Sequence, residues 1–227
     1  MSADQAPSAS HLCDVVIARH SLLQHPFYVA WSEGTLPVAA LGDYAREYGA
    51  FIDTIADGWE MAGAPEIARI EREHADIWDS TFATGLGTSV TSPRIGEVAD
   101  LVEISRELFA NRVTALGGLY AFEAQQPATA QSKLKGLREH YPQLPQSCGE
   151  YFDLHWDDYD EPSLLAGEIN ALRDVDRERA VAACERMCRG LNDALTGIHA
   201  PHVAADGQRS NPIGPAANAA YREARAS

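Results

Sequence analysis

The sequence predicts an all-α protein folded as a single bundle of seven or eight helices. Three observations support this. Apolar residues recur with a three- to four-residue period between recognisable helix starts and stops. No run of alternating Val, Ile, Thr or Tyr bounded by turns occurs, so strands have no support. The 227 residues are 45% hydrophobic and 22% charged, which suits one compact domain and excludes disorder as the dominant state.

The punctuation orders the elements. Ser10 can cap a first helix that ends near His25-Pro26. Thr35, with Pro37 in the first turn, opens a long segment from Leu36 to about Met61. Pro65 starts the next helix, which the Gly85-Leu86-Gly87 stretch ends. Ser92-Pro93 starts another, and one further segment is expected from about Ser105 to Gln126, where Pro127 must kink or restart the chain. Later helices are expected over about 128–141, 146–159, 163–173 and 175–197. The bundle is assigned to 10–199, with a flexible N-terminus at 1–9. Ala200 to Ser227, rich in Ala, Gly, Pro, Asn and Ser, is read as a mobile tail with a helical piece near 216–224.

Lys and Arg number 18 against 33 Asp and Glu, a formal charge of −15. Such a chain repels phosphate backbones and anionic lipid, so neither nucleic acid nor membrane is an expected partner. No apolar run reaches the roughly 18 residues of a membrane span, and no secretory signal is visible, so a cytoplasmic location is expected. Cys13, Cys148, Cys184 and Cys188 show no Cys-x-x-Cys spacing, and a domain of this length needs no disulfide staple.

The informative residues are charged groups on apolar faces. At about 100° per residue from Ile67, the residues Ile70, Ile77, Trp78, Thr81 and Phe82 form one stripe, with Arg69, Arg72, Glu73, Asp76 and Asp79 opposite. Glu71 and His74 fall inside the stripe, one turn apart. Glu123 lies in the centre of a face formed by Phe109, Val113, Leu116, Leu119 and Tyr120, with Arg112 on the same face. A third face holds Cys148, Tyr151, Phe152, His155 and Tyr159, with Asp158 at its edge. Each residue alone suits a hydrogen-bonded core group, and Arg112 or Arg19 can neutralise a lone Glu123. Three helices each sending a carboxylate or imidazole inward favour a carboxylate-rich iron or manganese site, because an unpaired buried charge costs several kcal/mol.

Specific strings carry a family resemblance. His25-Pro26-Phe27-Tyr28-Val29-Ala30-Trp31-Ser32-Glu33-Gly34-Thr35-Leu36 and Tyr44-Ala45-Arg46-Glu47-Tyr48 resemble the opening of haem-oxygenase-like proteins, among them thiaminase II and pyrroloquinoline quinone synthase C. Leu119-Tyr120-Ala121-Phe122-Glu123-Ala124-Gln125-Gln126-Pro127, followed by Lys133-Leu134-Lys135-Gly136-Leu137, is similar to one branch of that superfamily. The branch contains the chlamydial death-domain-associating para-aminobenzoate synthase and the haem-oxygenase-like diiron oxidases. The resemblance runs from about His11 to Leu195.

It implies a haem-oxygenase-like bundle with a central cavity. It also implies metal ligands at Glu71, His74, Glu123 and His155. The last helix of the family carries His-x-x-x-Asp-x-x-His, whereas here Tyr159 and Pro162 stand at the second and third positions; Asp158 is the expected substitute, and Tyr159 can ligate as a phenolate. Tyr28 and Lys133 match a tyrosine and a lysine that supply ring and amine in the synthase, while Lys133 also reads as a surface residue of an amphipathic helix. Arg112, Tyr120 and Tyr159 are the expected substrate contacts, Arg112 by a bidentate grip on a carboxylate. The expected activity is that of an oxygen-dependent iron oxidoreductase, with one or two ions and manganese as the alternative metal. Its expected substrate is a small amine or amino-acid-like molecule in a biosynthetic pathway. The alternatives are a metal-free oxidase resembling pyrroloquinoline quinone synthase C, and a non-enzymatic ligand-binding bundle. Thiaminase-like hydrolysis ranks last because no cysteine is placed as a nucleophile, and a homodimer is an assembly the fold class allows.

Overall fold

The computed structural model describes residues 7–209. Ten α-helices are present among the described residues, and no strand. They are α1 (Ala9–Arg19), α2 (Pro26–Ser32), α3 (Val38–Ala62), α4 (Pro65–Ile77), α5 (Gly96–Leu108), α6 (Arg112–Glu123), α7 (Gln126–His140), α8 (Glu150–His155), α9 (Asp160–Ala171) and α10 (Asp174–Arg209).

Local chemistry sets most of the boundaries. The Ser8 hydroxyl, not that of Ser10, accepts the His11 amide and caps α1. His25 Nδ1 accepts the Phe27 amide in front of Pro26, so the chain that was expected to end a helix there starts one instead. Gly63, at φ 92°, closes α3 in the left-handed region. The single helix expected from Ser105 to Gln126 is two. Phe109 caps the end of α5, and the Asn111 carboxamide accepts the Val113 amide 3.0 Å away to start α6. Pro127 lies in the first turn of α7, so it restarts the chain rather than kinking it.

The helix expected over 146–159 also breaks. α8 stops at His155, and α9 begins at Asp160 with Pro162 in its first turn, where a missing N–H costs no hydrogen bond. At the other end, α10 continues through Pro201 to Arg209, past the expected bundle end at 199. The helical piece expected near 216–224 lies outside the described residues. No helix among the described residues is long and apolar enough to cross a membrane.

α10 packs against α5 and α6, α3 against α4, α5 and α6, and α7 against α2 and α8. A Cβ on Gly117 would stand 1.9 Å from the Ala180 carbonyl oxygen, so α6 and α10 approach at a distance only glycine permits. α4 runs directly into a π-helical turn, Trp78–Ala83, which turns both Trp78 and Phe82 inward. There they join Phe27, Trp31, Tyr44, Tyr48, Tyr151 and Phe152 in one aromatic core, with the Trp78 indole donating to the Ala45 carbonyl.

Candidate metal centre

Two elements build the centre. α4 delivers Glu71 and His74 from adjacent turns of its inward face, with His74 Nδ1 donating to Glu71 Oε1 at 2.9 Å. Glu71 is 2% exposed. α8 ends on His155, also 2% exposed, and its Nδ1 donates to the Tyr151 carbonyl 2.8 Å away. That bond fixes the tautomer and leaves Nε2 with a lone pair, buried and without a hydrogen-bond partner. The rings of His74 and His155 lie 4.6 Å apart, and one ligand atom from each of Glu71, His74 and His155 falls within 4.8 Å of the other two.

This donor set fits a divalent ion. Burial holds the His155 imidazole below its ordinary pKa, keeping it in the neutral form that a metal requires. The bond from Nδ1 to a backbone carbonyl is the support that ligating histidines use. Two imidazoles with a carboxylate suit iron or manganese.

More acid surrounds the triad. Glu123, the last residue of α6, is 2% exposed and accepts the Trp59 indole N–H at 3.2 Å. Burial, then the charges of Glu161 and Glu71, push its carboxyl well above the carboxylate range. Glu161, in the first turn of α9, is pushed up to about 8 by burial and then by Glu71 and Asp158. Among the described residues, no Lys or Arg pairs with Glu71, Glu123 or Glu161. Sequence reasoning missed Glu161. Its one signal was an acid next to Pro162, where the family pattern has its last ligand.

The remaining expected site residues divide into two groups. Tyr28 and Lys133 are brought together, and Lys133 is a core residue rather than a surface one. It is 4% exposed, with Nζ 5.0 Å from the Tyr28 ring centroid and 5.2 Å from that of Phe152. Burial lowers its pKa to about 7. The Tyr28 hydroxyl shares a 2.9 Å hydrogen bond with that of Tyr44. Tyr44 packs on Trp78, Trp78 on Tyr151 and Tyr151 on His155, so aromatic rings fill the space between this pair and the triad.

The other expected contacts lie elsewhere. Arg112 is on the surface, paired with Glu168 at 2.5 Å and donating to the Ala62 carbonyl, because it opens α6 while Glu123 closes it, about three turns away. The Tyr120 hydroxyl donates to Asp14 at 2.7 Å, which turns it toward α1. Tyr159 is 58% exposed in the break between α8 and α9. Asp158, in the same break, is outside the triad and accepts the Asp160 amide.

The bundle architecture has solved counterparts. A TenA homologue from Pseudomonas syringae superposes with a TM-score of 0.67 over 84% of this chain and 90% of its own, at 13% identity. A CADD-like protein of unknown function from Nostoc punctiforme gives 0.63 over 87% and 96%, at 16% identity. The fold is haem-oxygenase-like. Sequence relatives of the chain include a protein named 4-aminobenzoate synthase from Nitrosomonas europaea, 28% identical over 84% of this chain and 91% of the relative. A second protein of that name, from Chlamydia pneumoniae, is 28% identical over 63% of this chain and 73% of its own. No protein-family model matches the chain.

Proposed function

We propose that this protein is an iron- and dioxygen-dependent biosynthetic oxidoreductase whose product is 4-aminobenzoate or a closely similar aromatic amine. The observation that carries the metal reading is the buried, unpartnered His155 Nε2 clustered with Glu71 and His74. Bound iron would supply dioxygen activation and one-electron oxidation, with manganese as the alternative ion. Glu71, His74 and His155 hold the ion, and the Tyr151 carbonyl orients His155. The packed rings of Trp78, Tyr151 and Phe152 keep water from the interior between the centre and Lys133.

The names of the relatives support the product. 4-Aminobenzoate contains a para-substituted benzene ring and an amine nitrogen. Tyr28 carries such a ring, and Lys133 holds an amine 5.0 Å from its centroid. Both are sealed from solvent, so the chain's own side chains serve as the amino-acid-like substrate. With its pKa lowered to about 7, Lys133 has a large neutral, nucleophilic fraction at neutral pH.

The test is to load the full chain with iron anaerobically, admit dioxygen, and measure 4-aminobenzoate together with the intact mass and the Tyr28 peptide. The expected result is product with a mass change at Tyr28, and loss of product in Tyr28→Phe and Lys133→Arg with iron content unchanged. Product formation by Tyr28→Phe at the wild-type level would contradict the self-derived ring.

A further inference from the structure

A cavity of about 660 Å³ opens along the seam between α7 and α8, and none of Glu71, His74 or His155 lines it. Its walls come from the second half of α7, the segment that follows and the first turn of α8. Leu137, Tyr141, Leu144 and Pro145 make most of the wall apolar, and a volume in this range holds a small organic molecule. Leu134, buried, also lines it, and its Cδ1 packs so closely on Gly149 that a Cβ there would come within 2.9 Å.

The cavity shares this seam with the buried amine. Leu134 follows Lys133 on α7, and Asp153, which lines the cavity, follows Phe152, whose ring lies 5.2 Å from Lys133 Nζ. Successive residues of a helix point about 100° apart, so α7 and α8 each present one residue to the amine and the next to the cavity. The polar groups on the walls are unevenly shared. Among the described residues Arg138 is the one cation lining the cavity, and Glu150 and Asp153 are the acids. Arg138 donates from Nη2 to both Asp153 oxygens, at 3.1 and 3.3 Å, which leaves Nε and Nη1 without a partner among the described residues. Both side chains are more than half exposed, so water screens the pair and it yields readily to a ligand. Glu150 stands one turn before Asp153 on the same face of α8 and pairs with no cation among the described residues. A cation, an unpaired acid one helical turn from its partner, and an apolar slot between them match a flat ring with a carboxylate at one end and an N–H donor at the other.

We propose that this cavity binds an aromatic carboxylate bearing a para amine, and that it holds the product on its way from the sealed interior around Lys133 to solvent. Arg138 takes the carboxylate with its unused guanidinium edge, and Glu150 accepts from the amine. Leu134 is the side chain that separates the cavity from the interior. This rests on the reading of the product given above, while the site itself can be tested without turnover.

The test is equilibrium dialysis of the metal-free, full-length protein against 4-aminobenzoate, with benzoate and aniline as comparison ligands, together with leucine-methyl NMR. Wild type is expected to bind one 4-aminobenzoate per chain, with shifts at Leu134, Leu137 and Leu144 and none at Leu119 in the interior. Benzoate and aniline each lack one polar end and are expected to bind more weakly. Arg138→Gln is expected to weaken 4-aminobenzoate binding about tenfold, the loss of one charged hydrogen-bonding contact in a solvent-open site. Leu144→Trp, which fills the slot, is expected to abolish binding, and Arg106→Gln, a charge change on the surface of α5, to leave it unchanged. No binding by wild type would overturn the site, as would binding that neither Arg138→Gln nor Leu144→Trp alters, or shifts confined to other leucines. A chain that binds as expected yet forms no 4-aminobenzoate when loaded with iron would support the site and overturn the proposed product. One that forms it without binding it here would overturn the site alone.

Discussion

His155 owes its ligand-like state to one backbone carbonyl. The Tyr151 oxygen takes the Nδ1 proton, and burial disfavours the imidazolium, so Nε2 remains an unprotonated donor. His155→Ala should therefore abolish tight iron binding, whereas Tyr159→Phe, at an exposed position, should leave the iron content of the loaded protein unchanged. Lys133 makes a separate prediction. Its pKa is about 7 when folded and 10.5 for an ordinary lysine, so between these values the unfolded chain binds more protons and stability rises with pH. Lys133→Met should be more stable than wild type in urea at pH 6.5, and that advantage should shrink as the pH is raised toward 10. At this scale the sequence made Glu71, His74 and Glu123 legible, because charges in an apolar stripe stand out against helical periodicity. Lys133 was ambiguous, because a lysine on an amphipathic helix has the same pattern whether its amine is in solvent or among aromatic rings. Glu161 was illegible, because its position depends on where a helix breaks.

The elements differ from expectation mainly at such breaks. Pro65, Pro127 and the Gly85–Gly87 stretch marked real boundaries, since proline and glycine restrict or free the backbone by themselves. The breaks at Asn111 and after His155 carry subtler local signals, one capping carboxamide at Asn111 and Pro162 in the first turn of α9. The first makes Arg112 the opening residue of α6, at the far end from Glu123, and the second puts Glu161 in the first turn of α9. The tight approach of α6 to α10 was equally hidden, because nothing in Gly117-Gly118 names the partner carbonyl of Ala180. Gly117→Ala should force α6 and α10 apart and cost about 2–3 kcal/mol, the upper part of the usual range for overpacking. At this chain length that lowers the melting temperature by about 5–10 °C, measured by calorimetry on the metal-free protein.

At the scale of the molecule, the all-helical, haem-oxygenase-like fold was readable from the sequence, because periodicity and the Tyr28 and Glu123 strings run through most of the chain. The candidate centre is a property of the folded chain, in which α4 and α8 bring Glu71, His74 and His155 together. Separated in sequence, Glu71, Glu123 and His155 are all buried in the folded chain, and no Lys or Arg among the described residues pairs with either carboxylate. An ion that binds only the folded chain stabilises it, by about 2.7 kcal/mol at a hundredfold excess over Kd, so iron should raise the melting temperature by about 5–10 °C. The most direct test is anaerobic Fe(II) titration of the metal-free wild type beside Glu71→Ala and His155→Ala, read by bound iron and by melting temperature. The account expects stoichiometric iron and a higher melting temperature in wild type, and neither in the two variants. Wild type that binds no iron, or variants that bind it equally well, would contradict the account.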